Sequence, residues 1–118
     1  MKKKQMRAQF NDRMKYWQRQ FNLRDYELAP VTHAEIEDEP KQTIISDAIW
    51  HHSNRWARVR INKEWKDTKR EINRVAFHEM LELRLGKLRD MAGAKYSWDE
   101  VDEQIHIVIR VLENLILK

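Results

Sequence analysis

The stretch from Thr68 to Gly93 constrains the fold of this chain more than any other. Thr68 and Glu71 form a capping box, which predicts a helix starting near Thr68. The apolar period continues through "RVAFHEMLELRLG" (residues 74 to 86) and ends near Ala92, with Gly93 as the expected C-terminal cap. A helix of this length and apolarity needs partners to cover it, so the rest of the chain must pack around it. Glu71, Arg74, His78, Glu82 and Arg89 fall within one stripe about 80° wide, as an ordinary solvated face would. Glu79 is the misfit. It lies among Ile72, Val75 and Leu83 on the apolar side, where a carboxylate is costly without a partner or a task.

The remaining segments supply the covering surfaces. Met6, Phe10, Met14, Trp17 and Phe21 recur at spacings of four, four, three and four, which predicts an amphipathic first helix. Residues 26 to 34, "YELAPVTHA", read as a short strand, with Pro30 pushing it to a sheet edge. The acidic "EIEDEPK" reads as a loop. "TIISDAIW" (43 to 50) and "RWARVRINK" (55 to 63) read as an antiparallel hairpin around "HHSN". In its second strand Ala57, Val59 and Ile61 face one way, and Trp56, Arg58 and Arg60 the other. Ser97 and Glu100 form a second capping box, opening a last helix that runs to the end with Val101, Ile105, Val108, Leu112 and Leu115 as its apolar face. The expected fold class is therefore α+β: an N-terminal helix, a small antiparallel or mixed sheet of about three strands, and two C-terminal helices in one domain spanning 1–118.

Composition narrows the chemistry. The chain has no cysteine, so disulfides and thiolate metal sites are excluded, and any metal must be held by histidine and carboxylate. No apolar run approaches the roughly 18 residues of a membrane span, and no apolar signal region follows the basic start; a cytoplasmic protein is the expectation. Residues 1 to 24 hold eight Lys/Arg against Asp12 alone, a local charge of +7; the whole chain is +4, so the remainder carries −3. A basic first helix can touch nucleic acid or an acidic partner, although such a run is more often a solvated face. Oligomeric state is not legible.

His78 and Glu82, one turn apart and roughly 40° apart around the helix, can bind one ion. Glu79 points some 100° away and can reach a group beside that ion. This matches the logic of the zinc-hydrolase helix motif, in which a glutamate directly after the first ligand takes a proton from the metal-bound water. Here the second histidine slot holds Glu82, a His-Glu-x-x-Glu variant (HExxE). Either the ligand set is permuted or the match is chance. A catalytic zinc site takes three protein ligands. On the last helix Asp102, His106 and Glu113 share an edge. His106 can complete the set, with Asp102 or Glu113 holding its other ring nitrogen; alternatively Asp102 is the ligand and His106 flanks it. Arg58, Arg60 and His52 are candidates for stabilising a transition state. His51 and His52 point to opposite faces of a strand and cannot easily share an ion.

The blocks "YWQRQFNLRDYEL", "RWARVRINKEW", "RVAFHEMLEL" and "HIVIRVLENLI" cover most of the chain. In them the sequence resembles the small phage-encoded zincin-like metallopeptidases, distantly similar to the SprT-like group, whose members usually carry histidine where this chain has Glu82. The resemblance implies a minimal zincin-like fold, with an arginine-rich strand beside the active-site helix and a peptide or protein substrate running along a sheet edge. It also implies His78 as a zinc ligand and Glu79 as general base. With Glu82 and His106 as the other ligands, the expected function is zinc-dependent peptide hydrolysis in the host cytoplasm. The alternative is a catalytically inactive module of the same fold that binds a protein or nucleic-acid partner.

Overall fold

The computed structural model describes residues 2–36, 44–65 and 69–117. Seven elements follow in order: α1 (Lys3–Gln20), β1 (Glu27–Leu28), β2 (Thr32–Ala34), β3 (Ser46–His51), β4 (Trp56–Asn62), α2 (Lys69–Gly93) and α3 (Trp98–Ile116). The architecture is α+β, with a mixed four-stranded sheet and helices at both ends of the chain order. Thr68 and most of the acidic 35–41 segment lie outside the described residues.

α1 buries Met6, Phe10, Met14 and Trp17, the stripe its spacing predicts, and lays them against α2. Polar atoms fix the register of this contact. Asn73 Oδ1 on α2 accepts from Trp17 Nε1 at 3.0 Å and from Arg13 Nε at 2.7 Å. The Trp17 and Phe77 rings meet edge to face, 4.8 Å between centroids, a favoured aromatic geometry. α1 stops because Asn22 turns left-handed (φ 56°), and the Leu23 amide bonds back to the Gln18 carbonyl. Asparagine is one of the few side chains that adopts this conformation readily.

The single strand expected over 26 to 34 is two. Pro30 has no N–H to donate, and the Val31 amide turns away to Asn11 Oδ1 of α1, so pairing lapses between β1 and β2. Both pieces run parallel to β4 along one edge, at Trp56–Ala57 and Arg60–Asn62. β3 pairs antiparallel along the other edge, with Ser46 opposite Ile61, Ala48 opposite Val59 and Trp50 opposite Ala57. Those pairs share the face covered by the helices, since Ala57, Val59 and Ile61 are buried. Gly86 of α2 sits under this face. A β-carbon there would stand 3.0 Å from the Trp50 ring and 3.1 Å from His52 Nε2, so a side chain would press helix and strand apart.

Two expectations change at the C-terminal helices. Gly93 is the last residue of α2 and not a left-handed cap; it leaves room for the Trp98 ring, which a β-carbon would strike. Ser97 caps α3 as expected, accepting from the Glu100 amide at 3.2 Å. The buried side of α3, however, is centred on Ile109, with Val101 buried and Ile105 and Leu112 packed beside it. Val108 and Leu115 face outward. This small rotation of the helix decides which polar residues meet α2.

Asn73→Leu should destabilise the protein by about 1–3 kcal/mol, because it strands the Trp17 N–H and the Arg13 guanidinium at a half-buried contact. Urea unfolding should show a lower midpoint with an unchanged slope; an unchanged midpoint would remove the bond from the account of how α1 docks.

Candidate metal centre

The polar stripe of α2 is not a solvated face. Four of its residues meet α3 directly, three of them on its acids and one on its histidine. Arg74 Nη1 lies 3.2 Å from Glu113 Oε2, His78 Nδ1 lies 3.1 Å from Glu113 Oε1, and Arg89 Nη2 lies 2.9 Å from Asp102 Oδ1. Glu82 reaches across to His106, whose Nε2 is 3.2 Å from Glu82 Oε1. Within α2, His78 Nε2 is 3.8 Å from Glu82 Oε2. His78, Glu82 and His106 thus gather one ligand atom each within 4.8 Å of one another, a cluster able to coordinate a metal ion. All three are partly buried.

The outer nitrogens of both rings are already committed. His78 Nδ1 donates to the Glu113 carboxylate, and His106 Nδ1 donates to the Asp102 carbonyl one turn back at 2.9 Å. A neutral ring with its proton on Nδ1 carries a lone pair on Nε2. Both Nε2 atoms therefore aim lone pairs at the oxygens of Glu82, an arrangement that repels unless each ring takes a second proton or a cation sits between them. For ligands about 2.0–2.1 Å from a tetrahedral ion, neighbouring ligand atoms stand about 3.3 Å apart. The 3.2 and 3.8 Å separations bracket that spacing. Two histidines and a carboxylate, with the second ring nitrogen of each histidine anchored, make a donor set that fits zinc.

The supporting roles differ from the sequence-based expectation. Glu113, buried at the α2–α3 seam, orients His78 and not His106, and is itself held by Arg74. Asp102 holds His106 through its backbone carbonyl, while its carboxylate pairs with Arg89; it stands outside the cluster. Arg74 and Arg89 were legible only as members of a charged stripe.

Glu79 is buried, 3% exposed, on the side of α2 that faces the sheet. Its Oε1 accepts from Ser46 Oγ of β3 at 2.6 Å, and its Oε2 is buried with no hydrogen-bond partner among the described residues. Burial, reinforced by the negative charge of Glu82 and only partly offset by the Ser46 hydroxyl, raises its pKa from 4.5 to about 8. Ser46 gave one faint sign in the sequence, as a small polar residue on the inward-facing alternation of β3 with Ala48 and Trp50.

Neither strand arginine serves this site. Arg58 and Arg60 project from the opposite face of the sheet, where Arg60 pairs with Asp47 across the strands. His51 stacks on Trp56 on that same face. His52 turns the other way, against Trp50 and Tyr26, so the two do not share a ligand position. Of the basic residues of α1, Arg7 is bonded to His33 and Arg13 to Asn73. Among the described residues, no helix is long and apolar enough to cross a membrane.

Because the folded chain keeps a proton on Glu79 that the unfolded chain releases, its stabilising effect is complete below about pH 4.5 and is lost as pH rises towards 8. Glu79→Gln cannot ionise. In metal-free protein it should match the parent near pH 4 and exceed it by a few kcal/mol, to order of magnitude, near pH 8. Urea unfolding across this range measures the difference; a parent and variant that stay parallel would show that Glu79 is ionised in the fold.

No protein-family model, curated protein or solved structure matches this chain, so the chemistry of the site has to be read from its own atoms.

Proposed function

We propose that this chain is a zinc-dependent hydrolase of peptide bonds, with His78 Nε2, Glu82 and His106 Nε2 as the metal ligands and Glu79 as general base. The observation that carries the reading is the convergence of two histidine lone pairs on one carboxylate, with both opposite ring nitrogens anchored. Zinc held there supplies a Lewis acid that polarises a carbonyl and acidifies water. The other roles belong to the chain itself. Glu113 and the Asp102 carbonyl fix the ring planes of the two histidines. The Ser46 hydroxyl pins Glu79 Oε1, and a cation held by the cluster would oppose the burial that keeps Glu79 protonated, which leaves Oε2 to take up and return a proton. A buried carboxylate oxygen without a partner is expensive to keep, and a proton-transfer role accounts for it.

The substrate class follows from β3. Among the described residues this strand is paired only with β4, so its other edge is free to take an extended peptide by strand addition. Ser46 lies on β3 itself, so a peptide laid along that edge passes beside Glu79. The same arrangement is what the resemblance to zincin-like metallopeptidases implies, with the ligand in the second helix slot changed to Glu82.

Metal analysis of tag-free protein should find about one zinc per chain, lost on His78→Ala, Glu82→Ala or His106→Ala. With a quenched peptide library, Glu79→Gln should lower turnover by about 10²–10⁴-fold while zinc stays bound. Protein that takes up no zinc, even on incubation, would refute the metal centre and favour the inactive binding module. Zinc uptake with no turnover, or turnover indifferent to Glu79→Gln, would refute the hydrolytic role.

A further inference from the structure

A cavity lies on the side of α2 away from the metal cluster. It encloses about 500 Å³ between the α1–β1 connection, the β3–β4 turn and α2, and Arg24, Arg55 and Arg84 line it with one acid, Asp25, beside Tyr26 and His52. Arg84 is two residues beyond Glu82, about 200° around the helix, so this cavity does not share the face of the metal cluster. Its wall is rich in positive charge. Arg55 is paired with Asp25, but Arg24 and Arg84 have no ion-pair partner among the described residues. Arg84 is close enough to Tyr26 for its charge to oppose the rise in tyrosine pKa that burial causes.

The floor of the cavity is built with some expense. Tyr26 Oη and His52 Nδ1 share a hydrogen bond, and His52 Nε2 stands 3.7 Å from Asp90 Oδ2 on α2. His52 reaches that position because Gly86 interrupts α2 without a side chain. Glycine within a helix costs about 1 kcal/mol relative to alanine. Two further residues hold left-handed backbone at the rim, Asn22 at φ 56° and Arg55 at φ 53°. Arginine has no local reason to adopt that conformation, which is uncommon for residues other than glycine.

The geometry points to an oxyanion site in this cavity that binds a phosphate group through the Arg24 and Arg84 guanidinium groups. Planar guanidinium forks match phosphate oxygens in pairs, and with Asp25 taken by Arg55 the other two leave charge that an anion would neutralise. The Tyr26–His52 pair forms the fixed wall against which the anion sits, and the volume accommodates a phosphate with a nucleotide-sized body. The phosphate can come from a small phosphorylated molecule or from a nucleic-acid strand. The inference is independent of the zinc site, and holds whether or not the chain is a hydrolase.

The test is titration of the full chain with inorganic phosphate and pyrophosphate, followed by NMR of the arginine side chains and the backbone around Asn22 and Arg55. Saturable shifts confined to the cavity are expected, and Arg24→Gln or Arg84→Gln should each weaken binding by about tenfold. Both residues are exposed, so the variants should keep the parent's circular dichroism and melting temperature. Arg110→Gln, an exposed arginine on α3, should leave binding unchanged. The absence of saturable shifts, or an equal loss with Arg110→Gln, would overturn the site. A short oligonucleotide with and without a 5′-phosphate separates the sources. Preference for the phosphorylated end marks a terminal or free phosphate, and equal binding that weakens steeply with salt marks the strand backbone.

Discussion

Everything in this fold that concerns chemistry depends on one polar seam between two helices. α2 is apolar over most of its surface, and α1 and the sheet cover it on two sides. The remaining side carries Arg74, His78, Glu82 and Arg89, and α3 closes over it with Asp102, His106 and Glu113. Charged and polar side chains partly removed from water have to satisfy one another, so the pairing across the seam is strongly specified. Two arginine–carboxylate pairs bracket the histidines, one on each side along α2, and hold the helices in the register that brings Glu82 between the two rings.

The seam also explains how a carboxylate can stand at position 82, between two histidine rings. A histidine at position 82 would need its outer nitrogen anchored by some acceptor, as His78 and His106 are. A glutamate offers two oxygens without that requirement, and each of them faces one ring. The consequence is a concentration of negative charge on α2, which Glu79 senses as one cause of its raised pKa. Glu79 and Glu82 face different partners, the sheet and α3, although they are only three positions apart. The helix thus carries two carboxylates in contrasting surroundings, one dry and held by a serine hydroxyl, the other partly wet and facing two rings. Such a contrast in surroundings sets the proton affinities of two neighbouring carboxyls apart.

Several features were plain in the residues alone. The four-four-three-four stripe of α1 is buried where it should be, because an amphipathic helix has one way to hide its apolar side. The alternation of Ala57, Val59 and Ile61 against Trp56, Arg58 and Arg60 fixes the inner face of β4. Burial of Glu79 followed from its place among Ile72, Val75 and Leu83, and the gathering of His78, Glu82 and His106 was within reach of helix geometry. The break at Pro30 was visible only as an edge signal, since its outcome depended on Asn11 of α1 being at hand to take the Val31 amide.

Sequence by itself determined which residues lie on which face of each element, because side-chain direction repeats with the fixed periods of helix and strand. It could not determine which acid meets which histidine. That choice rests on the rotation of α3 about its own axis, set by the burial of Ile109 in preference to Val108 and Leu115, a matter of packing against α2 and not of local pattern. The same holds for Ser46 beneath Glu79 and for Gly86 beneath His52, where strand and helix distant in sequence approach to within a few ångströms. Local physics assigned the faces. Only the close packing of the whole chain decided their partners.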